Sequence, residues 1–291
     1  MSTSVEARGG ERGADFVGEF HVYEPHRTGL PPLRPYVREL WKRRQFAAEL
    51  SKSGMRAAHS LTVFGQVWLV LNPLLLALVY FVLVNILGNK HYGPDYFAHL
   101  TAGLFTFYFV SGCMVTGATS VTSGGRLLLN TAFPRLLMPL SAVRTAFFRF
   151  LPTMAVYAVL HVLSGQGWSL NMLMAIPFLA MLVVFSAGLA MLFATMQIYF
   201  RDTTSFLPYF TRIWLYLSPV LWFPDSVSHR LKPLMAFNPL FSLVGGFGEA
   251  LVRGTMPPLT MWLQGIFWAV TAFVVGALVF MSKEREFTVR I

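Results

Sequence analysis

The scarcity of carboxylates over most of the chain is the feature that most constrains its fold. Between residues 60 and 280 the acidic side chains are Asp95, Asp202, Asp225 and Glu249. Of the 291 residues, 55% are hydrophobic and 12% are charged, whereas a soluble domain carries about 25% charged residues. So little polar surface cannot cover a soluble globule of this size, and the same composition excludes a disordered chain.

Six stretches are long and apolar enough to cross about 30 Å of hydrocarbon as helices. They lie at approximately residues 64–87, 96–116, 142–163, 172–198, 206–223 and 259–280. The fifth is short and marked by prolines. We therefore predict an all-α membrane protein with six transmembrane helices.

The distribution of lysine and arginine predicts the orientation of these spans. Of the 23 basic residues, sixteen fall in the N-terminal arm, the loops at 122–141 and 199–205, and the C-terminal tail, and four fall in the loops on the opposite side. Because cytoplasmic loops carry the excess of basic charge, we expect a multi-pass inner (plasma) membrane protein with both termini cytoplasmic. The net charge of +10 then reflects topology and attraction to anionic membrane lipids, and nucleic acid is not expected as a partner.

The regions that flank the spans divide the chain further. Residues 1–34 are rich in Gly, Pro, Glu and Arg and predict a flexible cytoplasmic tail. Residues 35–60 mix apolar and basic positions and predict an amphipathic interface helix on the membrane surface, with a solvated basic helix as the alternative. Its interfacial residues are Trp41, Lys42, Arg43 and Arg44. The six-helix transmembrane domain then covers 61–282, and 283–291 form a cytoplasmic tail.

Two apolar segments between the spans are too short to cross the membrane. The loop at about 122–141 contains an apolar patch at 126–135, which indicates either a cytoplasmic protein partner or a connector packed against its own bundle. The region at about 224–258 contains an apolar stretch at 238–248 and predicts an extracytoplasmic re-entrant helical hairpin between spans five and six.

Small residues recur on one face of the sixth span, at Gly265, Ala269, Ala272 and Gly276. This spacing allows close helix contact in lipid. The partner of this face is either the same chain or a second copy of it.

Three arginines fall inside the predicted spans, where a charge is costly and is usually functional or paired. They either extend to lipid headgroups or attract an anionic group such as a lipid diphosphate, with Asp202 and Glu249 as candidate partners in the sequence. Aromatic residues crowd the same spans and either stack on sugar rings or fill the bundle. The candidate substrate path comprises Phe105, Tyr108, Arg144, Phe148, Arg149, Tyr157, Arg212 and Trp214.

The sequence lacks the residue patterns of a self-sufficient enzyme or pump. No Gly-x4-Gly-Lys-Ser/Thr loop is present, so we do not expect the chain to hydrolyse ATP by itself. The acids and histidines of the membrane domain are scattered, and the one cysteine is Cys113, so we expect no catalytic residue, cofactor or metal site. An intramembrane enzyme acting on lipid-linked sugars is the alternative.

Several motifs follow one another in an order that resembles the permease subunit of ABC-type polysaccharide exporters, the family that exports O-antigen and teichoic acid. They are Glu39-Leu40-Trp41-Lys42-Arg43-Arg44, Gly65-x2-Trp68-x3-Asn72-Pro73, Phe133-Pro134-Arg135-x3-Pro139-Leu140-Ser141, Tyr199-Phe200-Arg201-Asp202, Ser218-Pro219-Val220 and Asn238-Pro239-Leu240. The resemblance covers roughly residues 36–282. It is greatest to the family members that export mycobacterial cell-wall galactan.

This resemblance implies a larger assembly and a class of cargo. Two copies of the chain would join two ATPase subunits, which bind ATP and Mg²⁺. The implied cargo is a lipid-linked glycan for the cell envelope, such as polyprenyl-diphosphate-linked galactan; a teichoic acid-like polymer, a lipid or a drug is the alternative. The implied ATPase-coupling residues are Arg126, Leu127, Leu128, Asn130, Phe133, Pro134, Arg135, Arg201 and Asp202.

Overall fold

The computed structural model describes residues 29–59, 65–87, 94–124, 133–163, 167–228, 230 and 232–290. Every regular element in these ranges is helical, which confirms the all-α class. The α-helices are α1 (Leu33–Lys42), α2 (Arg44–His59), α3 (Trp68–Leu87), α4 (Pro94–Ser123), α5 (Leu137–Leu163), α6 (Ala175–Tyr199), α7 (Thr203–Leu217), α8 (Lys232–Met235), α9 (Pro239–Leu251), α10 (Leu259–Lys283) and α11 (Phe287–Arg290). Short 3-10 turns occur at Gly65–Val67, Leu170–Met174, Pro224–Ser226 and Glu284–Glu286.

Five of the described segments are long and apolar enough to cross a membrane, as a multi-pass protein requires. They are Trp68–Ile86, Asp95–Ser123, Leu137–Leu163, Leu170–Tyr199 and Leu259–Glu286. The fifth predicted span, 206–223, differs, because α7 has 15 residues and ends at Leu217. Ser218 is extended, with ψ of 153°, since the proline that follows it disfavours helical backbone. A helix of 15 residues is about 22 Å long, so this fifth span, and with it the total of six, is not confirmed.

Helix α4 lies at the centre of the bundle and contacts α3, α5, α6, α7 and α9. Of its apolar stretch 78% is buried, against 11% for that of α3 at the periphery. Small residues allow this close packing: a β-carbon at Gly117 would lie 2.6 Å from that of Ala190 on α6. The packing of α4 therefore fixes the relative positions of the helices that carry the predicted path residues.

The face of small residues on α10 packs within the same chain. Gly188 of α6 lies so close to Ala272 and Gly276 of α10 that a β-carbon at either glycine would overlap main-chain atoms of the other helix. Gly265 and Ala269 of the same face are also buried. Of the two partners that the sequence left open, the structure therefore supplies the intrachain one, α6.

The predicted interface helix at 35–60 is two helices rather than one. Arg43 leaves the helical conformation between α1 and α2, with ψ of 15°. Helix α2 packs along α5, where Thr145 donates a hydrogen bond to the buried Ser51. Helix α1 has no buried residue, and Trp41 is 67% exposed. The break lets α2 follow α5, while α1 packs Tyr36 and Leu40 against the bundle and leaves Trp41 exposed.

The C-terminal segment at 284–290 also differs from the predicted tail. Phe287 is fully buried and packs its ring against that of Phe280, with centroids 5.1 Å apart. The apolar side chain at 287 thus holds the end of the chain against the bundle. Residues 1–28, the greater part of the predicted N-terminal tail, lie outside the described residues.

The segment between α7 and α10 first moves away from the end of α7 and then returns to it at Asn238. Asp225 forms an ion pair with Arg253, close to the start of α10. Asn238 then donates a hydrogen bond to the carbonyl of Leu217 at 2.8 Å, which places the start of α9 beside the end of α7. From there α9 runs to Leu251, next to Arg253 again.

Asn238 joins the end of α7 to α9 through side-chain hydrogen bonds to Trp214, Leu217 and Ser218. Its side chain accepts from the amide of Leu240 at 3.1 Å, as an N-cap, and from Trp214 Nε1 at 2.9 Å, besides donating to Leu217. We expect Asn238→Ala to lower the free energy of unfolding by roughly 2 kcal/mol, because the cap and the partly buried hydrogen bond from Trp214 are each worth about 1 kcal/mol, and the exposed bond to Leu217 adds less. Thermal unfolding of the purified protein in detergent measures this.

Asn171→Ala is the matched control for that change. Asn171 also donates a side-chain hydrogen bond, to the carbonyl of Gly254 at 3.0 Å, but it is exposed. Its replacement is expected to change the melting temperature much less. Equal shifts for the two variants would contradict the role given to Asn238.

Candidate functional site

A cavity of about 380 Å³ lies between α3, α4 and α5. It contains three residues of the predicted substrate path, Phe105, Tyr108 and Arg149. Trp68 and Asn72, which the sequence offered only as parts of a family motif, line it as well. The other lining residues are Leu69, Pro73, Phe109, Gly112, Thr116, Ala146, Phe150 and Thr153.

The local sequence explains why these helices leave a space. At Gly112 of α4 a β-carbon would have no atom within 4 Å, so the missing side chain leaves room in the cavity. Pro73 of α3 cannot form the usual main-chain hydrogen bond of a helix interior. Apolar and aromatic side chains make up most of the wall, as is typical of sites for small or lipidic ligands.

Arg149 is the charged residue of this cavity. Its Nε is buried without a hydrogen-bond partner, and among the described residues it forms no ion pair. The partner suggested by the sequence, Glu249, bonds instead to Arg253 at 2.9 Å. The other candidate, Asp202, is exposed in the turn before α7 and pairs with none of the three arginines in the described part of the chain. The arrangement leaves a positive charge available to a bound anion.

The remaining path residues lie apart from the cavity. Arg144 is exposed and lies over the ring of Phe148, 5.2 Å from its centroid. Tyr157 is buried farther along α5. Arg212 of α7 is exposed and near enough to the hydroxyl of Tyr108 to interact with it electrostatically. Trp214 is bonded to Asn238 and so belongs to the junction of α7 with α9.

The predicted ATPase-coupling residues are only partly described. Arg126, Leu127, Leu128 and Asn130 lie outside the described residues. Phe133 packs its ring 4.8 Å from that of Phe46 of α2, and Pro134 is buried. Arg201 and Asp202 are exposed in a turn that Gln197 holds by accepting from the amide of Thr204 at 3.0 Å.

Arg135 belongs to a partly buried cluster around Glu284 that the sequence did not suggest. Its main-chain amide donates to the Glu284 carboxylate at 2.6 Å, and its guanidinium donates to the Glu284 carbonyl. The Tyr36 hydroxyl donates to the other carboxylate oxygen at 2.5 Å. Burial and this carboxylate raise the pKa of Tyr36, so its proton stays in place. One carboxylate thus joins α1, the loop at 122–141 and the end of α10.

The described residues contain no group of three His, Cys, Asp or Glu side chains that could hold a metal ion. Cys113 is buried on α4. The arrangement offers an arginine and aromatic rings in an apolar cavity, which suits the binding of an amphiphilic anion.

Comparison with known proteins finds export permeases that are similar to this chain. It is 26% identical over 239 residues to the O-antigen export system permease protein RfbA of Klebsiella pneumoniae, covering 82% of this chain and 92% of that protein. It is 24% identical over 256 residues to the protein of the same description from Myxococcus xanthus, covering 86% and 97%. The resemblance to polysaccharide-export permeases is confirmed. A second Klebsiella pneumoniae protein of that description is 26% identical over 208 residues, or 71% of this chain and 80% of the relative. No family model matches the chain.

Proposed function

We propose that this chain is the transmembrane subunit of an ATP-driven exporter that moves a lipid-linked polysaccharide from the cytoplasm across the inner membrane. The observation that carries the proposal is Arg149, a cation without an ion-pair partner in the described residues, inside a cavity lined by aromatic and apolar side chains. The names of the relatives, O-antigen export permeases, support the same class of cargo.

The chemistry of the cavity fits a diphosphate joined to a polyprenyl chain and a sugar. Arginine binds phosphate oxygens with charge-assisted hydrogen bonds, which are strongest where water is excluded. The apolar wall suits the polyprenyl chain, and the rings of Trp68, Phe105 and Tyr108 offer surfaces on which a sugar stacks.

The position of the cavity suits loading from the cytoplasmic leaflet. Trp68 begins α3, and Thr116 lies in the last turns of α4, so one end of the cavity is beside the helix ends that the charge distribution assigns to the cytoplasm. Arg149 lies about 18 Å along α5 from its start at Leu137, so the cavity leads from the level of the lipid headgroups towards the middle of the membrane. Both termini of the chain are then cytoplasmic.

A partner must supply the energy, because the chain has no phosphate-binding loop. We assign this role to two ATPase subunits with ATP and Mg²⁺, which dock at 122–141 and at the exposed Arg201 and Asp202. Closure of the ATPases would move these segments as rigid bodies. The chain itself is a transport subunit without catalytic residues.

A polar surface on α3, α4 and α7 supports pairing with a second copy. The hydroxyls of Tyr80 and Tyr216 are 3.3 Å apart, and Tyr108 and Arg212 lie nearby and exposed. Guanidinium and hydroxyl groups at membrane depth are costly in contact with lipid chains. We therefore assign this surface to a path between two copies in a homodimer.

We propose that 206–223 supplies the remaining crossing and that the region at about 224–258 is a re-entrant hairpin. Helix α7 is followed by non-helical backbone up to Phe223, and Asp225 in the next turn pairs with Arg253 ahead of α10. The chain then returns to Ala236, whose carbonyl accepts from Trp268, about 13 Å along α10 from its start. Non-helical backbone at such depth is tolerated where protein covers it.

The proposed cargo is polyprenyl-diphosphate-linked galactan, which rests on the family resemblance of the sequence. Depletion of the protein in cells fed isotope-labelled sugar tests it. Accumulation of lipid-linked polymer inside the inner membrane, with loss from the wall, is expected, and sugar analysis then identifies galactan or a teichoic acid-like polymer. Unchanged polymer placement, with a retained lipid or drug, would contradict polysaccharide export.

Arg149→Gln is expected to reduce cargo-stimulated ATPase activity of the assembled complex roughly tenfold while basal activity changes little. A lost charge-assisted contact of about 1.5 kcal/mol corresponds to that factor. Arg144→Gln is the matched control, because Arg144 lies on the same helix but outside the cavity. Equal loss of basal and stimulated activity in Arg149→Gln would indicate a structural role instead.

An intramembrane enzyme on lipid-linked sugars remains the second candidate from the sequence. It requires a placed carboxylate, and Glu249 is tied to Arg253 outside the cavity. Loss of a sugar-transfer reaction on Glu249→Gln, without loss of assembly, would favour the enzyme over the exporter.

A further inference from the structure

Four polar side chains follow one another along α5 at intervals of four residues. They are Arg149, Thr153, Tyr157 and His161. Positions four apart form an inclined row on a helix surface. The row extends about 18 Å along the axis, which is more than half of the roughly 30 Å hydrocarbon thickness.

This row faces the interior of the bundle. Thr153, Tyr157 and His161 are 5%, 3% and 1% exposed, whereas Leu151 and Val159 of the same helix are 42% and 59% exposed. From Leu151 onwards, helix α5 therefore turns these three polar side chains inwards and apolar side chains such as Val159 outwards. Apolar side chains of similar shape would pack there without the cost of burying polar groups.

The hydroxyl of Tyr157 and Nε of Arg149 are buried without hydrogen-bond partners. Buried tyrosine hydroxyls are normally bonded, because an unpaired one costs roughly 1–3 kcal/mol. Thr153 is different, since its hydroxyl donates to the Phe150 carbonyl at 2.6 Å. Two of the four groups thus have bonding capacity that the described residues do not use.

The row joins the cavity to the opposite end of α5. Arg149 and Thr153 line the cavity, and Tyr157 follows one turn farther. The ring of His161 lies 6.0 Å from that of Tyr157 and 4.9 Å from that of the exposed Trp168. Polar or aromatic groups therefore continue from the cavity to the protein surface.

We infer that the row from Arg149 to His161 is an internal polar track that takes a phosphate-bearing anionic group from the cavity towards the far end of α5. The inference deepens the proposed function and rests on it for the nature of the cargo. Tyr157 donates a hydrogen bond to the anion as it passes, and Arg149 attracts it into the track. The track belongs to one copy of the chain and is separate from the polar surface around Tyr216.

Thiol labelling tests the track without any transport assay. In a Cys113→Ala background the full-length chain has no other cysteine, so Thr153→Cys and Tyr157→Cys each carry one thiol. An anionic methanethiosulfonate reagent is expected to react there roughly tenfold faster than a cationic one of equal size, because a buried cation concentrates anions. Arg149→Gln is expected to remove that preference.

Two controls test whether labelling reports the track. One measures reaction of a thiol that faces outwards, and the other measures reaction of a thiol in the space left by a removed ring. Val159→Cys faces outwards on the same helix, and Phe185→Cys removes an equally buried ring from α6. Both are expected to react slowly with either reagent. Reaction at 157 no faster than at these controls, or without anion preference, would overturn the track.

Protection experiments identify the source of the phosphate group. A polyprenyl diphosphate in the membrane is expected to slow labelling of Thr153→Cys, and free inorganic diphosphate is not. Equal protection by free diphosphate would overturn the assignment to a lipid headgroup. Labelling as expected combined with no polysaccharide transport would instead contradict the proposed function alone.

Tyr157→Phe provides the functional test in the assembled complex. Removing an unpaired buried hydroxyl is expected to leave the melting temperature unchanged or raised, yet to lower the transport rate roughly tenfold. Tyr96→Phe is the control, because the hydroxyl of Tyr96 donates a hydrogen bond to the Leu221 carbonyl at 2.8 Å. This change is expected to lower the stability and to leave transport per folded complex unchanged. Unchanged transport by Tyr157→Phe would overturn the role of this hydroxyl.

Discussion

Gly188→Ala is expected to leave little folded protein. The added methyl group would overlap the main chain of α10 at Ala272, where neither helix can yield by rotating a side chain. Relief requires α6 and α10 to separate, which loses contacts along the whole crossing. Overpacking of a rigid site costs about 1–3 kcal/mol, and more where main-chain atoms collide. The yield of monodisperse protein in detergent and its melting temperature measure the effect.

Gly112→Ala is the control for that change. It makes the same substitution in the interior of a helix, but the new methyl group meets no atom within 4 Å. Alanine is favoured over glycine in helices by about 1 kcal/mol, so stability is expected to be unchanged or slightly higher. If Gly188→Ala were as stable as Gly112→Ala, the close crossing of α6 and α10 would be wrong.

Glu284→Ala is expected to loosen the surface on which the ATPase is proposed to dock. Glu284 is 9% exposed, and its carboxylate accepts from the Tyr36 hydroxyl and the Arg135 amide. Its removal leaves two partly buried donors without this partner, at a cost of roughly 2 kcal/mol in the free energy of unfolding. The expected results are a lower melting temperature and weaker co-purification with the ATPase subunit.

Two further substitutions isolate the role of this carboxylate. Glu286→Ala removes the same charge from the same turn, but Glu286 lies at the solvent-facing side, where Tyr199 and Lys283 contact it. It is expected to have a small effect. Glu284→Gln retains one acceptor oxygen and is expected to fall between the two. If Glu284→Ala and Glu286→Ala weakened the ATPase complex equally, the cluster would have no special part in docking.

The long apolar helices could be predicted from the sequence because their formation depends on the composition of one continuous segment. The sixth predicted span, 259–280, corresponds closely to α10 at Leu259–Lys283. Length and apolar content suffice for such a helix, since lipid forces the backbone to bond internally. The end of α7 at Leu217 was harder to place, because the apolar residues continue past Pro219 while the helix does not.

Contacts between residues that are far apart in the chain could not be predicted from the sequence. Glu284 is one acid in a charged C-terminal stretch, and its bond to Tyr36 joins residues far apart in the chain. The closeness of α6 to the small-residue face of α10 likewise depended on Gly188, whose partner the sequence cannot name. Arg149 could be identified as a costly charge in a span, whereas the cavity around it depends on how three helices pack.

The central claim is ATP-driven movement of a lipid-diphosphate-linked glycan through this chain. The most direct measurement reconstitutes the permease with its ATPase in sealed vesicles that contain polyprenyl-diphosphate-linked glycan and follows the arrival of glycan on the opposite side. The account predicts ATP-dependent arrival that Arg149→Gln greatly reduces and Arg144→Gln preserves. Absence of movement by an intact complex that hydrolyses ATP, or equal transport by both variants, would contradict it.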